Sequence, residues 1–152
     1  MLIGVISDTH GLLRPQAVAA LRGVEYIIHA GDVGGADILS KLRKIAPVTA
    51  IKGNVDVDAW AGKLPATELV ELEGLSFYVL HNVRAIDLKP KAAGFAAVIS
   101  GHSHKPGYEF SEGVLYFNPG SAGPRRFRLP VTVGRIEIRD GELFPEIVEL
   151  EI

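Results

Sequence analysis

Seven side chains of the kinds that ligate divalent metals fall in five short polar clusters: Asp8 and His10 in Ser7-Asp8-Thr9-His10, Asp32 after Gly31, Asn54 after Gly53, His81, and His102 and His104 in Gly101-His102-Ser103-His104. Carboxylate, amide and imidazole together are the donor set of a mixed nitrogen and oxygen site for a transition metal. Seven donors exceed what one first-row ion with a water needs, and they suit two ions if one carboxylate bridges. Two divalent ions against two carboxylates leave a net positive centre, which would attract an anion and acidify a bridging water. Two metals roughly 3.5–4 Å apart stabilise both the attacking and the leaving oxygen of an in-line attack on phosphorus.

Each cluster sits just after an apolar run that reads as a strand: Leu2–Ile6, Tyr26–Ala30, Val48–Ile51, Leu75–Leu80 and Ala97–Ser100. In open α/β sheets ligands bind beyond the carboxyl ends of the strands, so five such ends can converge on one site. The period-two spacing of Asp8 with His10, and of His102 with His104, points each pair to one side if the chain there is extended. Taken singly, an Asp-x-His, a Gly-Asp or a His-x-His is an ordinary turn. Four of the chain's five histidines fall in these clusters, a concentration that turn chemistry does not explain.

The remaining elements follow from local signals. Pro15 opens a short helix that Gly23 closes, and Ile38, Leu39, Leu42 and Ile45 have the spacing of a second helix that Pro47 ends. Leu69–Leu72 and Leu75–Leu80 flank Glu73-Gly74, and Glu112-Gly113 and Asp140-Gly141 mark two further hairpins. Strands with helices first and hairpins later predict a mixed α/β protein with two packed sheets.

At 152 residues, 47% hydrophobic and 22% charged, the chain predicts one globular domain over 1–152. The absence of cysteine excludes disulfides, zinc ribbons, iron–sulfur clusters and thiol nucleophiles. A net charge of −2 offers no general grip on nucleic acid. The N-terminus lacks a basic leader and Asp8 interrupts its apolar run, and no stretch approaches the ~20 apolar residues of a membrane span. The expectation is a cytoplasmic protein.

The ordered motifs Ser7-Asp8-Thr9-His10-Gly11, Gly31-Asp32, Gly53-Asn54-Val55-Asp56, His81, Gly101-His102-Ser103-His104 and Asn118-Pro119-Gly120-Ser121 resemble the calcineurin-like metallophosphoesterases, in particular their small bacterial and archaeal (YfcE-like) phosphodiesterases. The resemblance implies a four-layer αββα sandwich of two mixed β-sheets. It implies one metal on Asp8, His10, Asp32 and His104, and a second on Asp32, Asn54, His81 and His102, with Asp32 bridging. It implies two divalent ions per chain, commonly Mn²⁺, with Ni²⁺, Zn²⁺, Fe²⁺ or Co²⁺ as alternatives, and a homo-oligomer, dimer or tetramer. The activity implied is hydrolysis of small phosphodiesters by a metal-bridging hydroxide.

Two positions depart from the family pattern. Val55 stands where many phosphomonoesterases of the superfamily carry a histidine, and Val83 stands where the small group often has the second histidine of a His-Gly-His. A missing general acid, typically worth 10²–10⁴-fold, favours substrates with a good leaving group and inclines the reading to diesters. Asn82, Arg84 and Arg125 are the candidate substrate contacts. His29, on a strand expected to be buried, reads as a support for the ligands, and Asp56 reads as the cap of a following helix in preference to a group that orients Asn54. Asn118 and Ser121 are expected to shape a loop beside the metals. Two other functions bear weighing: a Vps29-like scaffold that binds proteins without catalysis, which substituted ligands would mark, and a weak nuclease or nucleotidase.

Overall fold

The computed structural model describes residues 1–152. Ten strands and two helices follow in the order β1 Leu2–Ile6, α1 Pro15–Ala20, β2 Tyr26–His29, α2 Ala36–Arg43, β3 Val48–Ala50, β4 Thr67–Leu72, β5 Leu75–Leu80, β6 Ala97–Ile99, β7 Gly107–Ser111, β8 Val114–Asn118, β9 Thr132–Arg139 and β10 Glu142–Glu149. Single 3₁₀ turns lie at Ala59–Ala61 and Val83–Ala85. The strands form two five-stranded sheets, ordered β10-β9-β1-β2-β3 and β4-β5-β6-β8-β7. Both are mixed. β1-β2-β3 and β5-β6-β8 run parallel, and antiparallel hairpins close the edges.

Strand alternation sorts the core into layers. Ile3 and Val5 point to one side of β1 and meet Ile28, Phe77, Ile99 and Leu115 between the two sheets. Ile6 points the other way, into a second cluster with Leu21, Ile27, Ile38 and Leu42 beneath the two helices. Residues buried on both faces explain why these central parallel strands are continuous apolar runs. The three expected hairpins are present with two-residue turns. Glu73 and Gly74 have φ of 53° and 77°, Glu112 and Gly113 of 52° and 80°, and Asp140 and Gly141 of 51° and 76°. Two successive positive φ values match the right-handed twist of the flanking strands, and glycine at the second position takes one without strain.

The α/β architecture of two packed mixed sheets agrees with expectation, and the outermost layer over the second sheet is built of turns. The outer face of the second sheet has a smaller cluster, Leu80, Val98 and Val114, covered by Tyr78, Ile86 and Tyr116. No α-helix lies on this face. The segment from 82 to 96 crosses it with the Val83–Ala85 turn and further turns over 90–94. No helix of the chain is long and apolar enough to cross a membrane.

Candidate metal centre

The five polar clusters meet at one end of the two sheets. Asp8, His10 and His104 bring one ligand atom each within 4.8 Å of the others, and so do Asp8, Asp32 and His81. Asp8 Oδ1 lies 3.8 Å from His10 Nε2, 3.8 Å from His81 Nε2 and 3.4 Å from His104 Nε2. Asp32 Oδ2 lies 3.7 Å from His10 Nε2 and 3.1 Å from His81 Nε2. The His10 and His104 rings stack at 5.4 Å, and the His102 ring stands edge-on to His81 at 5.2 Å. Asn54 and His81 share a cleft at the mouth. Asp8, Asp32, His81 and His104 are buried, while Asn54 and His102 are exposed.

The expected extended backbone at the paired ligands is absent. Asp8, His10, Asp32, His102 and His104 have φ of 55°, 47°, 55°, 70° and 62°. The chain reverses at each, so Asp8 and His10 still converge, but His102 and His104 separate, one toward His81 and the other toward His10.

Neighbouring backbone must pass very close to the carboxylates. A Cβ on Gly53 would collide with Asp32, and a Cβ on Gly101 would fall 2.7 Å from Asp8 Oδ2. These two glycines are therefore required by space.

Each ligand is held by groups outside the centre. Asp8 Oδ2 accepts from the Ser7 hydroxyl at 2.8 Å and the His102 N–H at 3.1 Å. Asp32 Oδ1 accepts from the Val55 N–H at 3.0 Å. Nδ1 of His81 donates to the Ala30 carbonyl at 2.7 Å. That bond fixes the orientation of the ring and turns Nε2 toward both carboxylates. Ser121 donates to the Asp8 carbonyl at 3.0 Å, and the Asn118 amide donates to the Gly101 carbonyl at 3.0 Å, as expected of the Asn-Pro-Gly-Ser loop.

His29 and Asp56 complete the frame. The Gly31 N–H donates to His29 Nδ1 at 3.1 Å, so Nε2–H is left to donate to Thr9 Oγ1 at 3.0 Å, and Thr9 donates to the Val33 carbonyl at 2.7 Å. The imidazole thus bridges the loop carrying Asp8 and His10 to the one carrying Asp32. Asp56 is not a helix cap. Its carboxylate accepts from the N–H groups of Val33, Gly34 and Gly53, each at 3.0 Å, while Asp58 precedes the 3₁₀ turn at Ala59. Ser7 and Thr9 have roles that the sequence did not reveal, because serine and threonine after a strand look like ordinary turn residues.

Charge in the centre is arranged for a cation. Burial pushes the Asp8 carboxyl up, against the opposing pull of Ser7 and His81. For Asp32 burial is outweighed by His81, the Val55 N–H and His10, which hold it well below the usual carboxylate range. Burial, then the Arg126 and His10 charges, bring His104 down to about 4. His81 is raised because Asp32, the Ala30 carbonyl and Asp8 outweigh its burial.

Five buried atoms make no hydrogen bond: Asp8 Oδ1, His10 Nε2, His81 Nε2 and both ring nitrogens of His104. All five belong to this cluster. Buried polar atoms without partners are rare and costly, and carboxylate oxygens facing imidazole lone pairs are what a divalent cation between them would satisfy. The residues present fit a metal.

Of the candidate substrate contacts, Asn82 and Arg84 line a cavity with His102. Arg125 is on the exposed loop after Gly123, where Arg126 is the cation felt by His104. Val55 is 48% exposed at the mouth and contributes its backbone N–H. Trp60 packs against the cluster under the helices.

The chain is 39% identical to a probable metallophosphoesterase of Methanothermobacter thermautotrophicus, over 93% of this chain and 88% of that protein. A structure described as a novel archaeal phosphodiesterase superposes with a TM-score of 0.81 at 25% identity, covering 97% of this chain and all of that one. Wild-type Vps29 of Entamoeba histolytica, crystallised with Zn²⁺, shares the fold with a TM-score of 0.75 at 23% identity, over 98% of this chain and 99% of that one. The model of the calcineurin-like phosphoesterase superfamily domain matches residues 1–141, and with the metal-ready cluster at the strand ends it establishes that the chain belongs to that superfamily.

Proposed function

We propose that the chain is a dinuclear, divalent-metal-dependent phosphodiesterase acting on small diesters. The observation that carries this reading is the set of five unpartnered atoms on Asp8, His10, His81 and His104, turned inward beside Asp32. One ion would be held by Asp8, His10, Asp32 and His104, and the other by Asp32, Asn54, His81 and His102. Asp32 Oδ2, facing both His10 and His81, suits the bridging position. Mn²⁺ is the proposed ion, and Ni²⁺, Zn²⁺, Fe²⁺ and Co²⁺ suit the same donors. When bound, such ions acidify water and neutralise charge on the phosphoryl oxygens.

The chain's own residues then position the reaction. Asp8 and Asp32 provide the negative charge that holds the cations. His81, oriented by Ala30, presents Nε2 and keeps its proton on Nδ1. Arg84 beside His102 and Arg126 near His104 add positive charge for the phosphate. Water oxygen bonds to phosphorus, the ester P–O bond opposite breaks, and the alcohol departs with a proton to leave a monoester. With Val55 and Val83 at the mouth, no side chain is placed to protonate the leaving oxygen, so alcohols of low pKa leave best. That supports diesters as substrates.

A Vps29-like scaffold would be marked by substituted ligands, and all seven positions carry donors. A nuclease would need a basic surface that a net charge of −2 does not favour. The test is hydrolysis of bis(p-nitrophenyl) phosphate beside p-nitrophenyl phosphate. Faster diester turnover is expected, falling by at least about 10²-fold in Asp32→Ala and His81→Ala. Faster monoester turnover, or variants as active as the parent, would refute the reading.

A further inference from the structure

A groove leads away from the metal centre along the outer face of the second sheet. It starts at a cavity of about 250 Å³ bordered by His102 and Arg84. Val83, Ser103 and Asn118 line that cavity and also a cleft of about 390 Å³ that continues it over Ser100, Tyr116 and Glu109. Strand register explains the floor. Tyr116 pairs with Val98 on one side and Glu109 on the other, and Asn118 pairs with Gly107. Alternation therefore puts Tyr116, Asn118, Gly107 and Glu109 on the outer face.

Three features make this a built site. Ser100 lines the cleft, and its hydroxyl, open to that cleft, bonds to no other group of the protein. Ser103 Oγ accepts from the Lys105 N–H at 3.2 Å and from Asn118 Nδ2 at 3.1 Å, which leaves its own hydrogen to donate. A Cβ on Gly107 would meet nothing within 4 Å, so the space above it is open.

We propose that this groove binds a polyhydroxylated ester arm of the phosphodiester, a ribose-like or glycerol-like alcohol, while its phosphate sits at the metal centre. The assignment rests on the phosphodiesterase reading and names its substrate class. An apolar or aryl arm would cover the Ser100 hydroxyl without giving it a partner, at a desolvation cost. A second charged group would find Lys105 and Glu109 cancelling. A polyol both gives and accepts hydrogen bonds, so it satisfies two serine hydroxyls and the Glu109 carboxylate while its carbon face rests on Tyr116. A site built to bond a substrate hydroxyl discriminates strongly against analogues that lack it.

The test compares p-nitrophenyl phosphodiesters whose second arm is methyl, phenyl, glyceryl or 5′-uridyl, so that the leaving group is constant. The glyceryl or uridyl ester is expected to exceed both methyl and phenyl in kcat/KM by about tenfold. Which of the two is preferred separates a free polyol from a nucleoside. Ser100→Ala removes the hydroxyl and Gly107→Leu fills the groove from an exposed edge strand. Either is expected to shrink the preference ratio. A phenyl ester equal to or better than the polyol esters, or a ratio unchanged in both variants, would overturn the assignment. Absence of turnover of every ester would instead sink the phosphodiesterase reading. Calorimetry of Mn²⁺-loaded protein then decides the groove by itself. Glycerol 3-phosphate binding more tightly than methyl phosphate, with the gap lost in Gly107→Leu, supports it, and equal affinities refute it.

Discussion

Asp8, His10, Asp32, His102 and His104 occupy the left-handed region of backbone space, which costs an L-residue roughly 1–2 kcal/mol. Five such residues at one site are tolerated because hydrogen bonds over-determine the loops around them. His29 is one of those restraints. It is fully buried, and burial brings its pKa from 6.5 down to about 4. As pH falls below about 6.5 the unfolded chain binds a proton that the folded chain refuses until about pH 4. Stability is therefore complete above 6.5 and declines through that window, by about 3 kcal/mol from this group alone. Chemical denaturation of metal-free protein across pH should show this decline, and His29→Gln should flatten it. Identical pH profiles for parent and variant would show that His29 is not buried as a neutral ring. The ligand types and their clustering were readable from the sequence, since Asp, Asn and His after apolar runs carry their own chemical signature. The backbone reversals were not, because period-two spacing reads the same in extended and left-handed chain.

Between elements, the loops after β2 and β3 are joined by one carboxylate. Asp56 binds the N–H groups of Val33 and Gly34 in the first loop and of Gly53 in the second, and so fixes Asp32 relative to Asn54. Asp56→Ala leaves at least the buried Val33 N–H without a partner and should cost about 2 kcal/mol by chemical denaturation. It should also weaken Mn²⁺ binding, measured by calorimetry, with Asp56→Glu restoring part of the affinity. Stability lost with metal affinity intact would confine Asp56 to folding. The sequence offered orientation of Asn54 only as the lesser reading of Asp56, since its partners are backbone groups and two of them lie more than twenty residues away. The hairpins at Glu73-Gly74, Glu112-Gly113 and Asp140-Gly141 were legible because two-residue turns demand that chemistry. Residues 82–96, which carry neither a sustained helical period nor strand alternation, gave no sign of how they would cover the second sheet.

At the scale of the whole molecule, two mixed sheets bring five loops from distant parts of the chain to one end. Apolar runs predicted the parallel strands, but their pairing order, with β9 beside β1 and β8 between β6 and β7, depends on long-range packing that periodicity does not encode. The loops meet at a cluster whose unpaired buried atoms call for cations. In the proposed function two divalent ions complete this centre and make it hydrolytic. Chelator-stripped protein should be titrated with Mn²⁺ while bis(p-nitrophenyl) phosphate hydrolysis is followed. No turnover is expected without metal, with a rise that levels off as two ions bind per chain. Full turnover in stripped protein, or none with two ions bound, would contradict the proposed function.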